Sequence, residues 1–443
     1  MIPVMRRRDF LRFSGLGAAS SALGQLQLRP GSAAALERLL EGSEAPDATA
    51  TTTDEAFWRR IRAFYSPPAD YIDLDHANTS PTSRPVFDAF VQRTRQLSHS
   101  PAETFNTMWD VMEKDVRPAL ANLLGTEPER FALMGNSTVG LNTVIHGFPL
   151  ERGDEILVTD HEYPDMVESI VQRGRREGTV MRVVRVPTPT EDRLTLVARV
   201  AEAITPRTKL LLISHVSAWS GEILPVEEIT AAARSRGVSV MVDAAQSVGM
   251  LDVSFDRIGC DFLVASLHKW FGAPLTSGVL VMRPEHAGKV WPLHPPSWDT
   301  KEHPMDIYEW SGTFNMAAAG SIADAIVFQR TLGAERKRSR MRYLGDYWQD
   351  RLRQEPRVRV LTPHDSARSF GVASVMVEGI PSAALQKHLR RRNSIRVQDK
   401  SGRYSPFANA VRVSPGPCAT PLDLDRFVAA IRDAARNGIP VES

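Results

Sequence analysis

Two short segments hold polar residues where a fold core would otherwise expect none. Residues 238–243 (VSVMVD) form a β-rich run ending in Asp243, followed by Ala244, Ala245, Gln246, Ser247, Val248 and Gly249. The next such run, 261–266 (DFLVAS), ends in Ser266 and leads into Leu267, His268, Lys269 and Trp270. Asp243 and Lys269 therefore stand just beyond the carboxyl ends of neighbouring predicted strands, the edge at which open α/β sheets bind ligands. Lysine is rarely set against a sheet core. An amine there, beside a carboxylate, a histidine and a serine, suits a reaction needing imine formation with an aldehyde and a carboxylate that keeps a heteroaromatic nitrogen protonated.

Pyridoxal 5′-phosphate (PLP) makes both demands. Lys269 fits the Schiff-base lysine and Asp243 the partner of the pyridine nitrogen. Gln246 is placed to donate to the ring's phenolic oxygen, and Ser266 and His268 to bond the phosphate. Residues 131–142 (FALMGNSTVGLN) supply a second phosphate-binding candidate. Gly135 gives a tight turn and a helix starts at Ser137 or Thr138, so free N–H groups and two hydroxyls gather at one helix N-terminus. Taken alone that segment reads equally as an ordinary helix cap; the phosphate demanded by Asp243 and Lys269 favours the ligand reading.

The elements around these residues alternate. β-rich runs at 155–159, 180–186, 209–214, 238–243, 261–266 and 278–283 are separated by helical runs at 166–176, 196–204 and 226–236. Near-continuous apolar strands between amphipathic helices predict a parallel sheet covered on both faces. Beyond Ser311 long helices are expected at 316–332 and 335–352. Short strands at 370–377 and 410–414 and a last helix carrying Leu424, Val428 and Ile431 on one face follow. A short helix is expected at 54–64. The resulting division is an N-terminal arm at 36–75, a large domain at 76–315, and a helical connection with a small α+β domain at 316–443.

VDAAQSVG followed by SLHKW resembles the class V aminotransferase family of fold-type I PLP enzymes, and the resemblance runs from about Tyr71 to Phe427. It implies an α/β fold with a mostly parallel central sheet plus a smaller C-terminal α+β domain. YIDLDHANTSP is similar to the family's entry segment and GNSTVGLN to its phosphate loop. Tyr163 in DHEYPD stands where the family stacks a ring on the cofactor. SGTFN resembles the segment whose threonine, here Thr313, reaches the partner subunit's phosphate, which implies a homodimer. Arg412 in VRVSPG matches the arginine that holds the substrate α-carboxylate. HEYPD and the IRV…VRVSP pattern are closer to the isopenicillin N epimerase-like branch than to the cysteine desulfurases. Desulfurases place a nucleophilic cysteine in the loop matching 398–403, which here reads QDKSGR, and an asparagine where Ala218 stands. Cα–H chemistry on an amino acid or peptide-linked amino acid is thus expected, of aminotransferase or epimerase type. The alternatives are a non-catalytic PLP-fold binder and, against the missing cysteine, a desulfurase-like lyase. A nucleotide-binding Rossmann protein lacks its Gly-x-Gly-x-x-Gly here.

At the amino terminus, Arg7-Arg8-Asp9-Phe10-Leu11-Arg12, a mildly apolar stretch and small residues near Ala35 resemble a twin-arginine export signal over 1–35. A basic tail is the plainer alternative. Export implies passage through the twin-arginine translocation machinery to the periplasm or beyond. An exported enzyme of this family resembles the periplasmic PLP enzyme of pyoverdine maturation, implying siderophore or peptide tailoring. The stretch is too short to span a bilayer comfortably.

Composition sets outer bounds. The chain of 443 residues has 54 Lys plus Arg against 52 Asp plus Glu, a net +2 that gives no reason to expect a nucleic-acid partner. Two cysteines build neither a disulfide scaffold nor a four-thiolate metal site, and no metal is expected. Cys260 reads as a small core residue, and Cys418, in a loop near Arg412, as one that could face the pocket. His161 and His215 read as structural histidines, the basic runs 336–342 and 390–392 as solvated helix faces. Trp219, Trp298 and Trp310 belong to a substrate mouth or to the core.

Overall fold

The computed structural model describes residues 50–440, apart from 189–191, 299, 301–302, 366 and 408. The export segment at 1–35 and the first part of the arm lie outside the described residues. Seven strands form the main sheet: β2 (Phe131–Met134), β3 (Glu155–Thr159), β4 (Val180–Val184), β5 (Thr208–Ser214), β6 (Ser239–Asp243), β7 (Phe262–Ser266) and β8 (Gly278–Met282), after a β1 (Ile72–Asp73) that lies outside it. Their order is β2-β8-β7-β6-β5-β3-β4. Alternation along the strands divides the core. Leu263 and Ala265 of β7 face the cluster that includes Val240, Val242 and Phe271, while Phe262 and Val264 face one with Met241, Leu280 and Ile145. Helices therefore cover both faces, as the unbroken apolar runs require.

The expectation of a parallel run through 278–283 is corrected: β8 lies antiparallel to both β7 and β2. The link from Ser266 to Gly278 holds no helix, and a parallel return needs a longer crossover. The expected helix at 316–332 is also corrected into Met316–Gly320 and Ile322–Leu332. Ser321 divides them: its hydroxyl bonds back to the Ala317 carbonyl and accepts from Arg93, a local competitor of the helical ladder.

A second core fills the space between an antiparallel sheet and three helices. The sheet contains β9 (Val358–Val360), β10 (Ala373–Val377), β12 (Gln398–Asp399) and β13 (Val411–Val413), in the order β12-β13-β10-β9. The helices are Ala334–Arg353, Ser382–Asn393 and Pro421–Asn437. Trp348 and Phe427 meet edge to face at 5.4 Å in this core. The last helix starts at a capping box between Thr420 and Asp423 with Pro421 behind the cap, a stop-and-start signal written in sequence. β1 pairs in parallel with β11 (Ile395–Arg396), and Asp75 bridges to Ser414. The segment after the N-terminal helix Glu55–Arg62 thus lies along the second sheet and carries Asp75 to its edge. Among the described residues no helix is long and apolar enough to cross a membrane.

Candidate active site

The β6 and β7 ends form one wall of the site. Asp243 ends β6, is buried, and accepts from the Ala245 N–H at 2.9 Å. Burial pushes its carboxyl up, against the opposing pull of Lys269. Lys269 is pushed down to about 8, chiefly by burial and further by Arg412, while Asp243 works in the other direction. The two loops touch because Gly249 sits at φ +85°; a side chain there would meet the Phe271 backbone nitrogen at 2.6 Å. Lys269 Nζ lies 5.9 Å from the centre of the Tyr163 ring, which is 36% exposed at the mouth.

Ser137 and Ser266 are joined directly. The Ser137 N–H donates to Ser266 Oγ at 2.9 Å, and Ser266 donates to Ser137 Oγ at 2.8 Å. Asn136 caps the helix Ser137–Gly147 by accepting from the Val139 N–H, and Thr138 is exposed on its first turn. Gly278 permits the fit, since a Cβ on it would fall 2.8 Å from Asn136 Cα. His268 Nδ1 is buried with no hydrogen-bond partner among the described residues. Gln246 is already engaged: its amide donates to the Ala77 carbonyl at 2.9 Å and accepts from the Trp270 indole at 2.7 Å. Thr313 is exposed on the loop before the helix Met316–Gly320.

The opposite wall comes from the second sheet. Arg412 on β13 is buried; it donates to Asp75 at 2.9 Å and to the Ala218 carbonyl at 3.2 Å. Burial draws its guanidinium down and Asp75 opposes this. Asp75 and Lys400 escaped the sequence reading. Lys400 Nζ lies 5.1 Å from the Trp219 ring, and burial, Arg412 and Lys269 bring it down to about 7 against the opposing pull of Asp75 and Asp399. Trp219 is buried and donates its indole N–H to the Glu162 carbonyl. Trp298 and Trp310 pack edge to face on each other.

Several side readings are corrected or refined. Cys418 does not open to the pocket; it is buried in the core, its carbonyl takes Arg62, and burial lifts its thiol to about 12. Cys260 is fully buried and its thiol is pushed up as well. His161, bonded to Thr188 and Ser217, and His215 are buried and drawn down to about 4 by burial. The run 336–342 is not a wholly solvated face. Lys337 and Arg340 are buried, Lys337 donating to the Trp270 carbonyl and Arg340 pairing with Glu55. Asp261, Glu285 and His286 cluster at the far edge of the sheet, where Asp261 is held by Arg234, His286 and the Val240 N–H.

Comparison with known proteins places this geometry. Residues 72–427 match the family model described as aminotransferase class V. The chain belongs to the class V aminotransferase family. It is 29% identical to isopenicillin N epimerase from Streptomyces clavuligerus over 85% of this chain and 98% of that protein. It is 30% identical to the Amycolatopsis lactamdurans enzyme of the same name over 86% and 99%. A probable cysteine desulfurase of Xylella fastidiosa is 27% identical over 73% and 81%. Among solved structures, a mutant of C-DES with glycine covalently linked to its PLP cofactor superposes with a TM-score of 0.74 at 22% identity, covering 84% of this chain and 99% of the other. Cysteine desulfurase from Thermococcus onnurineus gives 0.74 at 22% identity, covering 85% and 98%. This class V member is a PLP-dependent enzyme. The donor set fits the cofactor: an amine lowered toward neutrality, a buried carboxylate beside it, a serine joined to the first residue of a helix, and, two residues beyond that serine, an imidazole nitrogen with no hydrogen-bond partner among the described residues.

Proposed function

We propose that the enzyme moves a proton at Cα of an amino acid or peptide-linked amino acid, as an epimerase or aminotransferase, and does not release sulfur from cysteine. The observation that carries this reading is the placement of thiols. Both cysteines are buried in the core, and the loop at 398–403 offers Lys400 instead of a thiolate. Desulfuration needs an accessible thiol of lowered pKa. The relation to two isopenicillin N epimerases supports the epimerase branch.

PLP, when bound, supplies an aldehyde for the substrate amine and a ring that withdraws electrons from Cα. Lys269 holds it and then carries the Cα proton, a task suited to an amine whose pKa lies near neutrality. Asp243 keeps the ring nitrogen protonated, and Tyr163 covers the ring face. Gln246 donates to the phenolic oxygen with an N–H not committed to Ala77. Ser137, Thr138, Ser266 and His268 bind the phosphate. Arg412 orients the α-carboxylate by paired hydrogen bonds. Thr313, exposed in the single chain, completes the phosphate site of a second copy, making the enzyme a homodimer. Export through the twin-arginine machinery on the segment 1–35 would bring it to the periplasm, where siderophore or peptide tailoring is the fitting task. Replacing Arg7 and Arg8 by lysine is expected to leave it in the cytoplasm.

Turnover in deuterated water tests the reaction class. An accepted substrate gains deuterium at Cα or yields an oxo acid, and the Cys260→Ala, Cys418→Ala pair keeps that activity. Rapid sulfide release from cysteine, lost with Cys418→Ala, refutes the proposal.

A further inference from the structure

We propose that Lys400 is a second anion anchor in the substrate site, so that the enzyme prefers a substrate whose side chain carries its own carboxylate or a comparable anionic group. This rests on the Cα reading above, in which Arg412 takes the α-carboxylate.

Strand geometry directs Lys400 inward. Gln398 of β12 pairs with Arg412 of β13, and the Lys400 N–H extends that ladder to the Ala410 carbonyl at 2.8 Å. Residues two apart on a strand share a face, so Lys400 lies on the side of Arg412. Its ammonium lies over Trp219, the neighbour of the residue whose carbonyl binds Arg412. The position is fixed from behind. Ser405 Oγ donates to the Lys400 carbonyl at 2.6 Å, and Tyr404 and Arg403 fasten the loop to Glu168 on the helix Pro164–Glu177.

The charges around it do not balance. Asp75 serves Arg412 at 2.9 Å and Arg396 at 3.6 Å. Asp243 faces Lys269. Asp399 accepts from the Ser401 N–H at 3.0 Å and hydroxyl at 2.8 Å, interacts with Ser382, and reaches Lys400 only as a nearby charge. Among the described residues no carboxylate forms an ion pair with Lys400. A partly buried cation without a direct ion pair is costly, and the Trp219 face offsets only part of that cost. Burial and the cations Arg412 and Lys269 depress the ammonium, and Asp75 and Asp399, each engaged elsewhere, only partly oppose this; an arriving anion would relieve the remainder. One carboxylate is served by Arg412, so the surplus cation calls for a second.

Affinities measured by absorbance titration of the PLP-loaded enzyme test this. The probes are L-glutamate and L-2-aminoadipate against L-glutamine and L-norvaline, with glutarate and butyrate as ligands lacking the amine. The native enzyme is expected to favour the dicarboxylates by about tenfold, the worth of roughly 1.4 kcal/mol. Lys400→Met abolishes that preference while affinity for the neutral amino acids changes little, and Lys400→Arg restores it. No dicarboxylate preference in the native enzyme, a preference that survives Lys400→Met, or equal losses for both classes would each overturn the inference. A PLP-loaded enzyme that binds neither free nor peptide-linked amino acids contradicts the Cα reading instead, and the glutarate–butyrate comparison then still decides the role of Lys400.

Discussion

The two walls of the site solve the same electrostatic problem differently. On the large-sheet wall, Asp243 and Lys269 come from adjacent parallel strands and balance each other inside one rigid layer. On the opposite wall, Arg412 finds Asp75 across a separation of 337 residues, and the pair exists only because β1 docks on β11 beside the second sheet. Lys400 then adds a cation that forms no ion pair among the described residues. The first wall is a prepared holder whose charges are matched before any ligand arrives. The second is an assembled surface left with a net positive charge, the arrangement expected of a place where an anionic substrate supplies what is missing. On the proposed function, retaining a cofactor and choosing a substrate draw on different parts of the chain.

Substitutions on one wall or the other can break that division. The largest effect is expected from Asp75→Ala, which leaves the buried Arg412 unpaired. Loss of one partner from such a pair costs about 3–5 kcal/mol, seen as a lowered urea midpoint, while the refolded variant still retains PLP. Loss of PLP in proportion to the loss of substrate binding would merge the two walls into one unit. Glu162 probes the region between them, being buried, bonded to Ser214 and Thr159, and close to Asp243. Burial raises its carboxyl from 4.5 to about 8. The folded state therefore binds the proton more tightly than the unfolded chain. The stability this contributes is fully present below pH 4.5 and is lost as pH rises through about 8. Glu162→Gln is expected to flatten that part of the stability–pH curve, measured by denaturant unfolding between pH 5 and pH 8 at roughly half-unit steps; an unchanged slope would place the titration elsewhere. The smallest effect is that of Ser266→Ala. It removes both links to Ser137 at a cost of about 1 kcal/mol, and it should weaken PLP retention without altering discrimination between amino acids.

The same division explains what could be read from the sequence. Asp243 and Lys269 were legible because long apolar strands fix their positions, and a polar residue at the end of such a strand has one place to go. Ser137 and Ser266 were legible as ligand candidates, although their bond to each other needed the fold. Asp75 and Lys400 were not, since they lie on or beside two-residue strands whose partners are far along the chain. Lys337 and Arg340 were hidden by their charge. Their spacing with Met341, Leu344 and Trp348 follows a buried helical stripe, but a run of basic residues reads as a solvated face. The reversed β8 was missed because apolar strands look alike in either direction, and only the short link before it carried the signal.

The most direct test of the account is where the cofactor attaches. The PLP-loaded protein is reduced with borohydride, digested, and the pyridoxyl-bearing peptide is identified by mass spectrometry. The account predicts a single modified residue, Lys269, and no modification of the Lys269→Ala variant. A pyridoxyl group on Lys400, Lys337 or any other lysine of the native protein, or an adduct that persists in Lys269→Ala, would contradict it.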